Sequence, residues 1–357
     1  MKVIFNTIHP APYIDRLTDY LIYKGIDVEC WYFYAITAEK AWKNYKAQNI
    51  HLYNDVSLFK RIYLFSKADL IIFAWGSINN YIMAFILYLL RVKFVFYMDH
   101  PDFETSKTKG VVGCIKRLML NLSTAVFPAS YSCADYISKI YNIRRDKIYL
   151  FPYTHSKPSS QVEEYNNNRK KALASGDKPC LLIASRFIER KGYSIVLKAF
   201  KELKNLNILD SFDIVILGNG EKYEYYKKEL MSLSKQIKFM GWVENDDYEN
   251  ILLNCDIYLH PSLFEPFGIP PLDAMVRNKF LIVSDGVKST DIFKKISCKG
   301  VWVYQSFDAK ELSRLLVKIL QNKDSIYNYA EHNYELCEKY YSIDINYQSI
   351  IAVCKSI

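Results

Sequence analysis

The sequence predicts an α/β protein of two Rossmann-like domains, each built on a parallel sheet, facing one another across a cleft. Three observations lead there. Apolar runs of strand length alternate with helical patterns from Val3 to Phe151, a βαβα rhythm that calls for a parallel sheet covered on both faces. The rhythm stops at His155 and restarts at Leu181. The chain has 357 residues, which leaves room for two cores at ~100–200 residues per domain.

Taken in order, Val3–Phe5 reads as a strand and Ala11–Lys24 as a helix that Gly25 stops. Val28–Phe33, Leu70–Phe73, Phe94–Tyr97, Thr124–Phe127 and Ile148–Phe151 continue the strands, with a helix at Tyr81–Leu90. The uncharged stretch from Leu70 to Leu90 has the length of a membrane span. Gly76-Ser77 and Asn79-Asn80 divide it, so it is read as a buried strand, a turn and a buried helix. From His155 to Asp177 polar residues dominate and apolar periodicity is nearly lost, the texture of a linker. Strands then follow at Leu181–Ala184, Asp213–Leu217, Ile237–Met240, Ile257–His260 and Leu281–Ser284. Helices are expected at Ser194–Leu203, Lys222–Leu233, Ala309–Leu320 and Asn328–Tyr340. The expected boundaries are a first domain at 1–155, a polar linker at 156–176, a second domain at 177–335 and a closing helical segment at 336–357.

Half of the residues are hydrophobic and 24% are charged, which excludes a long disordered chain. Eight cysteines are scattered without a CxxC pair, which argues against a zinc ribbon or a disulfide scaffold. They suit a reducing, cytoplasmic compartment, and the opening Met1–Asn6 reads as a strand, not a targeting segment. The net charge of +9 is uneven. Residues 1–150 hold 19 Lys and Arg against 12 Asp and Glu, a net +7, whereas residues 151–357 carry +2. That excess points to an anionic surface or to solubility alone.

Four motifs follow strands in the second half. Ala184-Ser185-Arg186-Phe187-Ile188-Glu189-Arg190-Lys191-Gly192 places Arg186 and Lys191 in one strand–helix loop, where they suit a diphosphate. Two ordinary surface cations is the alternative. Leu217-Gly218-Asn219-Gly220 permits close backbone approach to a ligand, or is a plain tight turn. It lacks the third glycine of a dinucleotide fingerprint, so a nicotinamide dehydrogenase is poorly supported. Phe239-Met240-Gly241-Trp242-Val243 turns at a glycine where backbone groups suit a base edge. The strongest is Pro261-Ser262-Leu263-Phe264-Glu265-Pro266-Phe267-Gly268-Ile269-Pro270-Pro271-Leu272-Asp273-Ala274-Met275. Its prolines suit a helix start near Leu272, with an anion site at the N–H groups around Phe267 to Ile269. Glu265 beside that site suits sugar hydroxyls, or is a solvated loop carboxylate. Asp273 complements a helix dipole or binds a ligand.

In this order and spacing the four motifs, from about Leu181 to Asp291, resemble the GT-B fold, retaining glycosyltransferase family 4 type (glycosyl transferases group 1). The first half is similar more thinly. Phe94–His100 looks like the family's strand ending in a histidine that faces the donor sugar, and Ala125–Ser130 like the strand and serine that follow. The helix around Tyr347–Cys354 resembles one that crosses back onto the first domain. Two departures stand out. The family's Glu-x7-Glu ends here in Asp273, one methylene shorter, a retreat of roughly 1.5 Å from the donor ribose. The family's N-terminal Gly-Gly loop reads Asn6-Thr7-Ile8-His9-Pro10-Ala11-Pro12-Tyr13.

The resemblance implies retaining transfer of a sugar from a nucleotide-sugar donor to a hydroxyl of a glycan or lipid-linked glycan, in bacterial surface polysaccharide synthesis. The implied catalytic set is Glu265, His100, Arg186 and Lys191. The implied donor contacts are Arg186, Lys191, Gly218, Val243, Glu265, Phe267, Gly268 and Asp273. Arg186, Lys191 and the helix start would stabilise the leaving diphosphate in place of a metal, so no metal or cofactor is expected. A GT-B-like binding or partner subunit with little turnover is the competing reading, supported by Asp273 and the missing Gly-Gly loop. Residues 107–122 carry Lys107, Lys109, Lys116 and Arg117 beside Val111, Ile115, Leu118 and Leu122 at helical spacing. This suits either an anionic membrane surface or a core-facing helix with a solvated basic face. The expected location is therefore cytoplasmic and peripheral on the inner face of the membrane, with no nucleic-acid partner.

Overall fold

The computed structural model describes residues 1–34, 50–74, 76–99 and 110–356. The chain forms two compact units, Met1–Thr154 with Tyr341–Ile357, and His155–Tyr340. His100, Lys107 and Lys109 lie outside the described residues.

The first unit is a six-stranded sheet in the order β3-β2-β1-β4-β5-β6, every described pair parallel. Its strands are β1 (Lys2–Thr7), β2 (Asp27–Tyr32), β3 (Ile50–Leu52), β4 (Leu70–Phe73), β5 (Phe94–Met98) and β6 (Ala125–Pro128). Its helices are α1 (Pro12–Tyr23), α2 (Leu58–Phe65), α3 (Ile78–Leu89), α4 (Gly110–Leu122) and α5 (Tyr131–Ile140). β1 sits between β2 and β4, with Phe5 opposite Cys30 on one side and Ile72 on the other. Leu70, Ile71, Ile72 and Phe73 are all buried, which is why that strand reads as an unbroken apolar run.

Ile148–Phe151, expected as a strand, makes only a single bridge, Ile148 to Val126. Tyr149 and Phe151 donate to the carbonyls of Val126 and Pro128. Pro128 has no N–H to return, so the ladder does not continue. The stretch from Leu70 to Leu90 is a strand, a turn and a helix, as its breakers predict. Ser77 caps α3 by accepting from the Asn80 N–H at 3.2 Å. The helix is not buried all round, however. Asn80, Met83, Ala84 and Leu87 face the core, whereas Ile78, Ile82, Phe85 and Leu89 are exposed. Among the described residues, no helix is long and apolar enough to cross a membrane.

The second unit repeats the plan in the order β12-β11-β10-β7-β8-β9, again parallel. Its strands are β7 (Cys180–Ala184), β8 (Asp213–Leu217), β9 (Ile237–Gly241), β10 (Ile257–His260), β11 (Phe280–Ser284) and β12 (Val301–Tyr304). Its helices are α6 (Val162–Ala174), α7 (Tyr193–Asn205), α8 (Tyr223–Met231), α9 (Asn245–Asn254), α10 (Ile269–Met275), α11 (Asp291–Lys295), α12 (Ala309–Gln321), α13 (Ile326–Ala330) and α14 (Asn333–Tyr341).

Residues 156–176 are therefore not a linker, since they contain α6. That helix buries only Leu173 and has little apolar face. It docks through polar bonds, with Arg169 on Asp256 at 2.8 Å and Asn166 on the Arg277 carbonyl at 2.9 Å. The single helix expected at Asn328–Tyr340 is two, because buried Asn333 turns its amide to the Lys279 carbonyl at 2.8 Å.

A last helix, α15 (Ile343–Lys355), belongs to the first unit. Ile350 and Val353 pack with Phe5 and Leu21 in its core. Asn346 donates to the Pro152 carbonyl, Ser349 to that of Leu150, and Lys93 to that of Cys354.

Candidate functional site

In a doubly wound sheet ligands gather where the strand order reverses, outside the carboxyl ends. In the second unit that point lies between β7 and β10. The two loops leaving these strands, 185–192 and 261–268, are bound to each other there. Leu263 donates its N–H to the Arg190 carbonyl at 2.8 Å, and Arg190 Nη1 donates to the Phe264 carbonyl at 3.2 Å. Gly192 has φ +74°, and a Cβ on it would lie 1.9 Å from the Pro261 oxygen, so only glycine lets the loops meet. On its other side, Glu265 donates its N–H to the Gly286 carbonyl at 3.0 Å and bridges Val287.

This clamp brings Lys191 and Glu265 together. Lys191 is buried, and its Nζ pairs directly with Glu265 Oε2. The same oxygen lies 3.4 Å from Ser262 Oγ, 3.6 Å from His260 Nε2 and 3.7 Å from Arg190 Nη1. The reading from sequence gave Lys191 and Glu265 separate partners. Burial forces them onto one another, because each charge lost its water when the loops closed. Burial works to raise the Glu265 pKa, but the His260 bond and the Lys191 charge outweigh it and hold the carboxyl well below the usual range. Burial lowers the Lys191 ammonium, against the pull of Glu265. It also lowers His260, which stays neutral at neutral pH. Arg186 is exposed on the same loop, and its charge is felt at Lys191. Arg186, Lys191 and Glu265 are thus brought together, and the structure adds Arg190, His260 and Ser262. The signal for the last two was His260-Pro261-Ser262 at the mouth of the strongest motif.

The other predicted positions divide. Phe267 is buried and accepts from the Ser289 N–H at 2.9 Å; Gly268, with φ +97°, accepts from Ser289 Oγ at 2.8 Å and precedes α10. Val243 is half-buried just after β9. Gly218 has a different reason for being glycine from the one expected. A Cβ there would lie 2.1 Å from the Ser185 oxygen, so the close approach is to the chain's own first loop.

Asp273 differs most. The helix starts at Ile269, not near Leu272, so Asp273 is outside the first turn and does not complement the dipole there. Its Oδ1 accepts from Ser156 twice, from N–H at 2.6 Å and from Oγ at 2.8 Å. Arg277, almost fully buried, braces this arrangement. It forks onto Glu249, donates to the Asp273 carbonyl at 2.7 Å and reaches Ser156 Oγ at 3.1 Å.

In the first unit, a cavity of about 350 Å³ opens at the carboxyl ends of β1, β4 and β5. Phe5, Tyr13, Tyr97, Phe151 and Tyr153 supply aromatic walls, and Asp99 the carboxylate. Tyr153 donates its hydroxyl to Asp99 Oδ2 at 2.8 Å. Ile8, His9, Pro10 and Ala11, where the family's Gly-Gly loop was expected, line its mouth. Among the described residues, no group of three His, Cys, Asp or Glu could hold a metal ion.

Comparison with known proteins agrees with the geometry. Residues 164–336 match the family described as glycosyl transferases group 1. An uncharacterised glycosyltransferase of Methanocaldococcus jannaschii, MJ1607, is 26% identical over 189 residues, covering 51% of this chain and 47% of the relative. The O-antigen chain mannosyltransferase RfbU of Salmonella typhimurium is 23% identical over 217 residues, covering 59% and 56%. The chain thus spans about half the length of these relatives. Among solved structures, Alr3699/HepE of Anabaena in complex with UDP superposes with a TM-score of 0.76 at 15% identity, over 100% of both chains.

Proposed function

From a chain that has the GT-B fold and whose residues 164–336 match the glycosyl transferases group 1, we propose a retaining glycosyltransferase. It moves a sugar from a nucleotide-sugar donor to a hydroxyl of a glycan or lipid-linked glycan, in the making of a bacterial surface polysaccharide. The observation that carries this reading is the buried Lys191–Glu265 pair at the strand-order reversal, with Arg186 beside it. RfbU's role in O-antigen chains and the UDP bound to HepE support the class of acceptor and of donor.

As the bond from the anomeric carbon to the diphosphate breaks, negative charge grows on the leaving oxygen. Arg186 and Lys191 meet that charge without waiting for water to reorient, in place of a metal ion. Glu265, kept ionised, accepts sugar hydroxyls and fixes the donor. The acceptor is assigned to the aromatic cavity of the first unit, where Asp99 takes a hydroxyl. The setting is the cytoplasm, at the inner face of the membrane.

The test is a thermal-shift and transfer screen across UDP-, GDP-, ADP- and TDP-sugars, with Lys191→Ala as control and with EDTA added. A donor that stabilises the wild type but not the variant, and is turned over at an unchanged rate in EDTA, supports the reading. Nucleotide binding with no transfer to any glycan acceptor would identify a binding subunit instead.

A further inference from the structure

We propose that the outer face of α2, α3 and α4 docks on an anionic lipid bilayer. This deepens the membrane-associated reading above by naming its surface, which is wider than the segment 107–122 that the sequence suggested. On α4, two of the four apolar positions first singled out, Ile115 and Leu122, pack against the core. Val111, Val112 and Leu118 are exposed instead.

The larger apolar surface is on α3. Its core face takes Asn80, Met83, Ala84 and Leu87, which already satisfies a surface helix. Its outer face should then be polar. It carries Ile78 (65% exposed), Ile82 (52%), Phe85 (46%) and Leu89 (64%), spaced four, three and four residues apart, one continuous stripe. On α2, Phe59 and Tyr63 are 84% and 62% exposed, one turn apart. Single exposed apolar residues need no explanation, but a stripe at helical spacing beside others like it does.

Charge chooses the occupant. The residues of α2, α3 and α4 include no Asp or Glu. Lys60, Arg61, Lys116 and Arg117 lie on these helices, and Lys67 and Arg91 lie two residues beyond the ends of α2 and α3. Lys60, Lys67, Arg91 and Arg117 are exposed. A second copy of the chain meeting this face through the same face would bring like charges together. A bilayer with anionic headgroups meets both features, the apolar stripe entering the headgroup–acyl boundary and the cations staying at the phosphates. The helix is too short to cross, at ~18 Å for 12 residues, so it lies in the plane of the surface.

The experiment is flotation of the purified protein with vesicles of phosphatidylcholine alone or with 30% phosphatidylglycerol, at low and high salt. The wild type should float with the anionic vesicles and be released by salt. Ile82→Asp with Phe85→Asp should weaken binding about tenfold or more, as should Lys60→Glu with Arg91→Glu. Both pairs are exposed, and circular dichroism and a thermal melt verify that the variants fold. Arg314→Glu, on α12 of the second unit, should leave binding unchanged. Calorimetry with nucleoside diphosphates on the same samples separates this surface from the donor site, since affinity there should not move. Failure of the wild type to float, or equal flotation of the Ile82/Phe85 variant, overturns the proposal. So does a concentration-dependent dimer in sedimentation that Ile82→Asp dissociates, which would make the face a contact between copies.

Discussion

Replacing Asp273 decides whether that carboxylate holds the chain or the donor. In the structure its Oδ1 receives both the N–H and the hydroxyl of Ser156. Hydrogen bonds to a charged group contribute about 1.5–3 kcal/mol each, less when the partners recover water. Asp273→Ala removes both and should cost the second unit about 2–4 kcal/mol. For a unit the size of His155–Tyr340 that lowers the melting temperature by about 5–15 °C. Ser156→Ala removes the hydroxyl bond alone and should cost about 1–2 kcal/mol. The two positions touch, so the double variant should fall short of additivity, with a coupling of about 1–2 kcal/mol. The assay is guanidinium unfolding of the four forms, with calorimetric titration of the nucleoside diphosphate alongside. A coupling under about 0.5 kcal/mol, together with a tenfold loss of nucleotide affinity in Asp273→Asn at unchanged stability, would refute the clamp and return the residue to the ribose.

Arg186→Ala, Lys191→Ala and Glu265→Gln should each lower transfer by about 100-fold or more while the protein still folds, read by steady-state kinetics and a melt. His260 titrates below its ordinary value, so the unfolded chain takes up its proton first. Stability should therefore begin to fall as the pH drops through about 6.5, and the imidazolium would have a buried Nδ1 without a partner among the described residues. Urea unfolding between pH 7 and 5 checks this, and His260→Asn should flatten the slope. The depressed Glu265 carboxyl acts at lower pH: its contribution is whole above about pH 4.3 and drains as the pH falls toward its folded value. Asp99→Asn should raise the acceptor KM several-fold and leave donor affinity unchanged, measured by titrating each substrate separately.

Much of the architecture was legible because buried parallel strands leave an unmistakable mark. Leu70–Phe73 and Ile257–His260 were located to the residue, and both are fully buried. The site loops were legible for a different reason. Glycines are few in this chain, and Gly192 stands where no other residue fits, so it marks the meeting of two loops. What the sequence hid are elements whose partners are polar or remote. α6 carries no apolar stripe because Asp256, Arg277 and Asn328 hold it. β12, Val301–Tyr304, completes its ladder only against β11. The Ser156–Asp273 contact spans 117 residues of chain and leaves no local pattern. The outward stripe of α3 was misread because an apolar run does not say which of its faces meets the core.

The chain leaves its first unit at Thr154 and returns at Tyr341, and that order has a consequence on the ribosome. The seat of α15, beside α1 on the first sheet, exists as soon as the early residues fold, yet its occupant is made only after the whole of the second unit. At ~5–20 residues per second, synthesis of the intervening unit takes roughly 10–40 s. Throughout that interval Phe5 and Leu21 lack the cover that Ile350 and Val353 later give them, and Tyr20 waits for Asp344. The unit begun first is completed second, and a chaperone that recognises nascent apolar surface would find it at the α15 seat.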